Sequence, residues 1–210
     1  MLLVVVAVEA EARALPRMDG VRVVVSGIGR TNAAAAVTQS LLELDACDAV
    51  LNVGVCGALP SCALPIGSVV HGTAAVYAEE GMDTPGGFVD IATMGFSLGA
   101  DEGNVLHPDA DLVEHSVAFT TGVSIATVAT CSGTDEHAAM IEKRTGAAVE
   151  AMEGAAVLHA ARRLGTRAIE IRAISNTTGD RDQQQWDMEA ALANLGETVP
   201  AICKAISPKI

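Results

Sequence analysis

Aromatic side chains are nearly missing from this chain of 210 residues, which has one Trp, one Tyr and three Phe, 2 % in all. Its core must therefore be assembled from Val, Ile, Leu, Met and Ala, and an apolar half of the sequence is enough for that. Basic residues are also scarce. Thirteen Lys and Arg face 26 Asp and Glu, a formal net charge of −13. That balance argues against nucleic acid and against an anionic membrane as partners, because both need cations to displace counterions. The five cysteines, Cys47, Cys56, Cys62, Cys131 and Cys203, are odd in number and include no C-x-x-C pair. Neither a disulfide framework nor a zinc site is expected, a reducing cytoplasm fits, and each thiol reads as a small buried hydrophobe. No apolar run is long enough to cross a bilayer. The opening run 2–8 lacks a basic flank and meets Glu9 and Glu11 at once, so it reads as a buried strand and not as a targeting signal.

What is present is an alternation of strand-like and helix-like segments. Runs 2–8 and 21–25 are rich in β-branched Val, as in parallel strands covered on both faces. The second run enters the turn Ser26-Gly27-Ile28-Gly29 and an Ala-rich helical stretch to about Leu44. Strands are expected at 49–53, 68–77, 123–130 and 168–174, with a glycine loop Gly54-Val55-Cys56-Gly57 after the first of these. Helices are expected from Thr134, which would cap the first, to Thr145, and from Glu153 to Leu164, where Gly165 stops the second. A terminal helix from Trp186 to about Ala205 should break or kink at Pro200. The weakly patterned stretch 79–120 reads as a long covering loop, and 176–185 as a polar loop. The alternation predicts a single α/β domain over 1–210, its sheet parallel at least in part.

Ligands of such sheets gather beyond the carboxyl ends of the strands, and the residues able to do chemistry fall there. Glu9 and Glu11 follow the first strand, the Gly27 and Gly29 turn the second, Gly54–Gly57 the third, and Ser175-Asn176 a late one; Met152-Glu153 opens a helix. Each has a plain structural reading. Glycines serve tight turns, and a third glycine needed for a dinucleotide fingerprint is missing. Glu9 and Glu11 suit the first turn of a helix, although one carboxylate at a strand end can also orient and deprotonate water. Glu150 and Glu153 flank Ala151-Met152 in an apolar stretch, where charge is costly without a partner. A carboxylate there can accept bonds from the vicinal hydroxyls of a ribose, and Met152 offers an adaptable apolar wall.

Met152-Glu153-Gly154-Ala155-Ala156 followed by Arg172-Ala173-Ile174-Ser175-Asn176 resembles the paired motifs of the nucleoside phosphorylase and nucleosidase superfamily. Val8-Glu9-Ala10-Glu11, the Ser26–Gly29 turn and Asn52–Gly57 match in the expected order, and the stretch 79–120 matches least. Glu170–Asn176, then Gly179-Asp180-Arg181-Asp182 and Trp186-Asp187, are similar to the futalosine hydrolases of menaquinone biosynthesis. The resemblance implies an α/β three-layer sandwich, its central sheet mixed but mostly parallel and flanked by helices. It also implies no cofactor and no metal, a purine nucleoside as the small-molecule partner, and a homodimer or larger homo-oligomer. The implied reaction is hydrolysis of the N-glycosidic bond of futalosine to hypoxanthine and dehypoxanthine futalosine through an oxocarbenium-like state. Glu11 would be the base that activates water and Asn176 the group facing the leaving purine. Gly57, Met152, Glu153, Arg172 and Ser175 would bind substrate, with Glu153 on the ribose hydroxyls.

Asn176 stands where nucleosidases acting on 6-aminopurines carry an aspartate. An amide can donate to N7 or to a 6-oxo group, which an ionised carboxylate cannot do. Asn52 and Val55 stand where the phosphorylases carry phosphate ligands, which points to water as the nucleophile. Arg30 is left open as a cation that either reaches phosphate or lies on the surface. Arg181, His107 and His115 are candidates for meeting the substrate carboxylate, and Asp180 with Arg181 would shape a loop over the purine. No aromatic near Thr130-Cys131 is available to stack on the base. A methylthioadenosine or S-adenosylhomocysteine nucleosidase, a purine nucleoside phosphorylase and a non-catalytic nucleoside-binding protein remain as alternatives.

Overall fold

The computed structural model describes residues 1–98 and 103–208. Ten strands run in chain order as β1 (Leu2–Val6), β2 (Val21–Val25), β3 (Ala49–Ala58), β4 (Val69–Tyr77), β5 (Gly81–Thr84), β6 (Gly87–Asp90), β7 (Val105–Leu106), β8 (Thr121–Thr127), β9 (Val149–Ala151) and β10 (Ala168–Thr177). The helices are α1 (Glu9–Ala14), α2 (Arg30–Glu43), α3 (Ala110–Ser116), α4 (Asp135–Thr145), α5 (Gly154–Arg163) and α6 (Met188–Ile206).

The central sheet is mixed but mostly parallel. β3 is its hub, paired in parallel with β1 on one side and β10 on the other, while β2 extends the sheet beyond β1. β4 runs antiparallel to β10 and parallel to β8. β9 joins the parallel edge of β8 to the far end of β3, which it meets antiparallel. Alternation along β1 explains the layering. Leu2, Val4 and Val6 pack with α6 and Leu112 of α3, whereas Leu3 and Val5 pack with Ala33 and Val37 of α2 and the Ala-rich α5. Both faces are thus apolar, as the unbroken β-branched runs require. Small side chains along α5 let it lie close to α2 and the sheet without aromatic filler.

Most expected elements are present, and Thr134 does cap its helix, its hydroxyl accepting from His137 N at 3.1 Å. The differences have physical causes. The glycine stretch 54–57 is strand and not loop, because β10 flanks it on one side and β9 pairs with Gly57 and Ala58 on the other. The stretch 79–120 is not a bare covering loop: it holds the hairpin β5–β6, the short β7 on β4, and α3, while 99–102 lie outside the described residues. The expected break at Pro200 is absent, for α6 runs through it. A proline inside a helix costs roughly 3 kcal/mol, and Leu195, Val199 and Ile202 are fully buried, each burial contributing about 1.5–3 kcal/mol.

α6 also touches α1 at the backbone. A Cβ at Gly196 would lie 2.5 Å from the carbonyl oxygen of Ala14. Gly196→Ala is therefore expected to destabilise the protein by about 1–3 kcal/mol through overpacking, read as a lower urea midpoint at unchanged slope.

Candidate active site

The carboxyl ends of β1, β3, β8, β9 and β10 surround a cavity of about 480 Å³, a volume suited to a small-molecule ligand. All seven residues singled out from the sequence line it: Glu11, Gly57, Met152, Glu153, Arg172, Ser175 and Asn176.

Glu11 lies in the first turn of α1 and also faces the cavity, so its two sequence readings coexist; Glu9 beside it is exposed. The Glu11 carboxylate is fixed by three backbone amides. Oε2 accepts from Ala7 N at 2.8 Å and Val8 N at 3.2 Å, and Oε1 accepts from Val55 N at 2.9 Å. Glu153 is held from two sides, accepting from Gly29 N at 3.0 Å and from Arg172 Nη2 at 3.1 Å. The turn glycines earn both of their readings here, since Gly27 and Gly29 have φ of 87° and 94° and Gly29 also reaches the site.

Arg172 is the fully buried centre of the polar cluster. Its Nε donates to Glu170 at 2.9 Å, Nη1 to Val55 O at 3.4 Å, and Nη2 to both Asn52 Oδ1 and Glu153. Burial works against the charged guanidinium, but Glu170, Glu153 and Glu11 outweigh it and hold its pKa above the ordinary value. Burial pushes the Glu170 carboxyl up, with Arg172 pulling it partly back. Among the described residues, Glu170 Oε2 has no hydrogen-bond partner. Two glycines make room for this cluster: a Cβ at Gly54 would lie 2.4 Å from Glu11 Oε1 and 2.5 Å from Arg172 Nη1, and one at Gly154 would lie 1.8 Å from Glu170 Oε2.

Ser175 is an extra residue in β10. The β10–β3 register passes from Ile174 opposite Cys56 to Asn176 opposite Gly57, leaving Ser175 as a bulge. The Ser175 hydroxyl lies 2.8 Å from Asn176 Oδ1, and Asn176 Nδ2 donates to Thr177 O at 2.9 Å.

The structure adds residues to which sequence reading gave no site role. Glu150 and Ser132 line the cavity, as do Gln184 and Trp186. Gln184 Oε1 accepts from Arg181 Nη1 at 2.9 Å and Trp186 Nε1 at 3.1 Å, and its amide donates to Ser132 O and Gly179 O. The Arg181 guanidinium sits over the Trp186 ring, 4.7 Å from its centroid. Trp186 is thus an aromatic residue of the cavity wall, one that only its place in a motif had marked. A charge in an apolar run was the signal for Glu150.

Other readings were left open by the sequence or need correction. Arg30 does not line the cavity; Glu80 holds it with two bonds, at 2.7 and 2.8 Å, and Glu79 lies 3.2 Å away. Of Arg181, His107 and His115, Arg181 alone lines the pocket. Asp180 does not pair with Arg181; it and Asp135 at the start of α4 each accept the other's backbone amide on a carboxylate oxygen, at 3.1 and 3.0 Å. Cys131 is an exposed thiol on the cavity wall, and Cys47 and Cys62 are only half-buried, whereas Cys56 and Cys203 are buried. Among the described residues, no cluster of His, Cys, Asp and Glu could hold a metal, and no helix is long and apolar enough to cross a membrane.

The sequence profile of the Phosphorylase superfamily matches residues 17–207. The chain belongs to that superfamily. Within it, the chain belongs with the futalosine hydrolases. It is 36 % identical to the futalosine hydrolase of Streptomyces coelicolor over 190 residues, 86 % of this chain and 77 % of that one. It is 32 % identical to that of Thermus thermophilus over 180 residues, 83 % and 77 % of the two chains. Among solved structures of the superfamily fold, a 5'-methylthioadenosine/S-adenosylhomocysteine nucleosidase of Colwellia psychrerythraea in complex with adenine superposes with a TM-score of 0.81 at 22 % identity, covering 100 % of this chain and 96 % of that one. The corresponding enzyme of Neisseria meningitidis in complex with methylthio-immucillin-A gives 0.77 at 23 %, covering 97 % and 98 %. At these identities the likeness is one of fold. This member of the superfamily is an N-glycosyl hydrolase of mixed, mostly parallel α/β architecture.

The contact of Gly154 with Glu170 gives a direct test of the cluster's geometry. Gly154→Ala is expected to cost about 2–4 kcal/mol, as burying a clash against a polar network does. In a Glu170→Ala background, Gly154→Ala should cost little further stability in urea unfolding, since the new methyl then has space.

Proposed function

We propose that this protein hydrolyses futalosine, releasing hypoxanthine and leaving dehypoxanthine futalosine, as a cytoplasmic enzyme of menaquinone biosynthesis working as a homodimer or larger homo-oligomer. The observation that carries this reading is the meeting of Glu11, Glu153 and Asn176 along one cavity, in a chain whose curated relatives are futalosine hydrolases.

The roles follow from the geometry. Glu11, immobilised by three amides, keeps a carboxylate oxygen at the cavity wall with lone pairs left to orient a water and take its proton. Glu153, fixed by Gly29 and Arg172, accepts from the ribose hydroxyls, and its negative charge favours the positive charge that grows on the sugar as the C–N bond breaks. Met152 lies against the sugar as the apolar wall. Asn176 is held by Ser175 so that its amide meets the departing base, where a donor stabilises electron density arriving on the purine. Gly57 leaves the space between Asn176 and the strand floor.

Water fits this site better than phosphate does. A dianion needs free cations and donors. Of the arginines near the pocket, Arg172 is spent on Glu170 and Glu153, Arg181 stacks on Trp186, and Arg30 is tied to Glu79 and Glu80.

Incubating the protein with futalosine in phosphate-free buffer should release hypoxanthine, seen by chromatography; no free base would refute the reading. Glu11→Gln is expected to lower kcat by about 10²–10⁴, the scale of general-base catalysis, with the melting temperature retained; wild-type turnover would remove Glu11 from the mechanism. Asn176→Asp should shift preference from hypoxanthine toward adenine nucleosides. An unchanged ratio of kcat/KM values would reject the role given to the amide.

A further inference from the structure

The cavity holds one carboxylate that this mechanism leaves idle. Glu150 sits on β9, and the antiparallel pairing of β9 with β3 places it opposite Gly57. It is 4 % exposed and lines the cavity. Ser132 orients it twice: Oε1 accepts from Ser132 N at 2.7 Å and Oε2 accepts from the Ser132 hydroxyl at 2.6 Å. Both bonds come from donors, so the group is presented as an acceptor, with a lone pair remaining on each oxygen. Among the described residues its bonds run to Ser132 and not to a cation. Burial raises the Glu150 carboxyl above its ordinary range, and the two Ser132 bonds pull it back; His137 favours the charge and Glu79 opposes it. A buried acid of this kind is costly to keep unless something in the pocket needs it.

Its position says what that is. A Cβ at Gly57 would lie 3.3 Å from Asn176 Nδ2 and 3.6 Å from Glu150 Cγ. The amide and the acid therefore flank one glycine at the end of the cavity assigned to the base. A 6-oxopurine carries an N1–H donor next to its O6 acceptor. A 6-aminopurine reverses both, with a bare N1 acceptor next to an amine donor. An amide whose remaining N–H can donate to O6 or N7, beside an acid that only accepts, matches the first pattern at both positions. It opposes the second, because the acid then faces the N1 lone pair.

We propose that Glu150 is a specificity-determining residue that accepts the N1–H of a 6-oxopurine and, with Asn176, selects against 6-aminopurines. The inference rests on the reading of the protein as a hypoxanthine-releasing hydrolase. Ser132 is then a positioning residue, holding the acid with its acceptor side toward the base.

The test is calorimetric binding of three free bases, hypoxanthine, adenine and 1-methylhypoxanthine, to the full chain, alongside the release assay. The wild-type protein should bind hypoxanthine about 10- to 100-fold more tightly than either of the others, the scale of a hydrogen bond to a charged group. Glu150→Gln keeps the side chain's size but supplies an amide donor. It should bring the hypoxanthine-to-adenine ratio near one at an unchanged melting temperature, a change that a merely structural residue would not produce. Equal wild-type affinity for hypoxanthine and 1-methylhypoxanthine overturns the inference, as does tighter binding of adenine or a wild-type ratio in Glu150→Gln. If that variant does not fold, the wild-type comparison with the methylated base decides alone. A protein that releases hypoxanthine yet ignores the methyl group refutes Glu150 and spares the hydrolase reading; one that releases no hypoxanthine refutes the hydrolase reading itself.

Discussion

One buried guanidinium holds the cavity end of this fold together. Arg172 is 1 % exposed and meets three carboxylates, directly at Glu153 and Glu170 and through space at Glu11. Buried charges are stable only when their attraction and hydrogen bonds offset a desolvation penalty of several kcal/mol per ion. Arg172 meets that condition because all three of its nitrogens are engaged, with Asn52 and the Val55 carbonyl taking what the acids do not. The sheet supplies the spacing, since Glu170 pairs with Asn52 and Arg172 with Gly54 across the β10–β3 ladder. Arg172 and Glu170 are thus anchored to the backbone of two adjacent strands, which is the rigidity that precise catalytic geometry demands.

The same cluster explains two glycines that propensity alone would count as weaknesses. Gly54 interrupts a strand and Gly154 opens a helix, and neither has a positive φ. Both are required by what lies above their Cα atoms: the Glu11 and Arg172 side chains over Gly54, and the Glu170 carboxylate over Gly154. Absence of a side chain is here a packing requirement and not a backbone one.

How much could be read from the sequence depended on how local the cause was. The strands of the sheet centre were legible because burial on both faces leaves an unbroken apolar run, as in 2–6. The cap at Thr134 was legible because a hydroxyl and the amide three residues on are enough to make it. The seven pocket residues were legible as motifs in order, and the structure gathers them around one cavity. What escaped depends on partners distant in sequence. Three residues of β9 form a strand only between β8 and β3. Glu150 becomes a pocket residue only through that strand, and Asp180 turns from Arg181 to the amide of Asp135, 45 positions away. The helix runs unbroken through Pro200 because a local rule was outweighed by burial against the sheet.

The bulge at Ser175 stores information in a residue count. Along a strand, side chains alternate between faces, so the direction of everything after a bulge depends on whether the extra residue is there. In β10 the residues up to Ile174 keep step with β3, and Asn176 is out of phase with them by one place. Deleting Ser175 would leave every later side chain intact in identity and point it the wrong way. What a sequence comparison would score as a single gap would, in three dimensions, turn the amide away from the pocket.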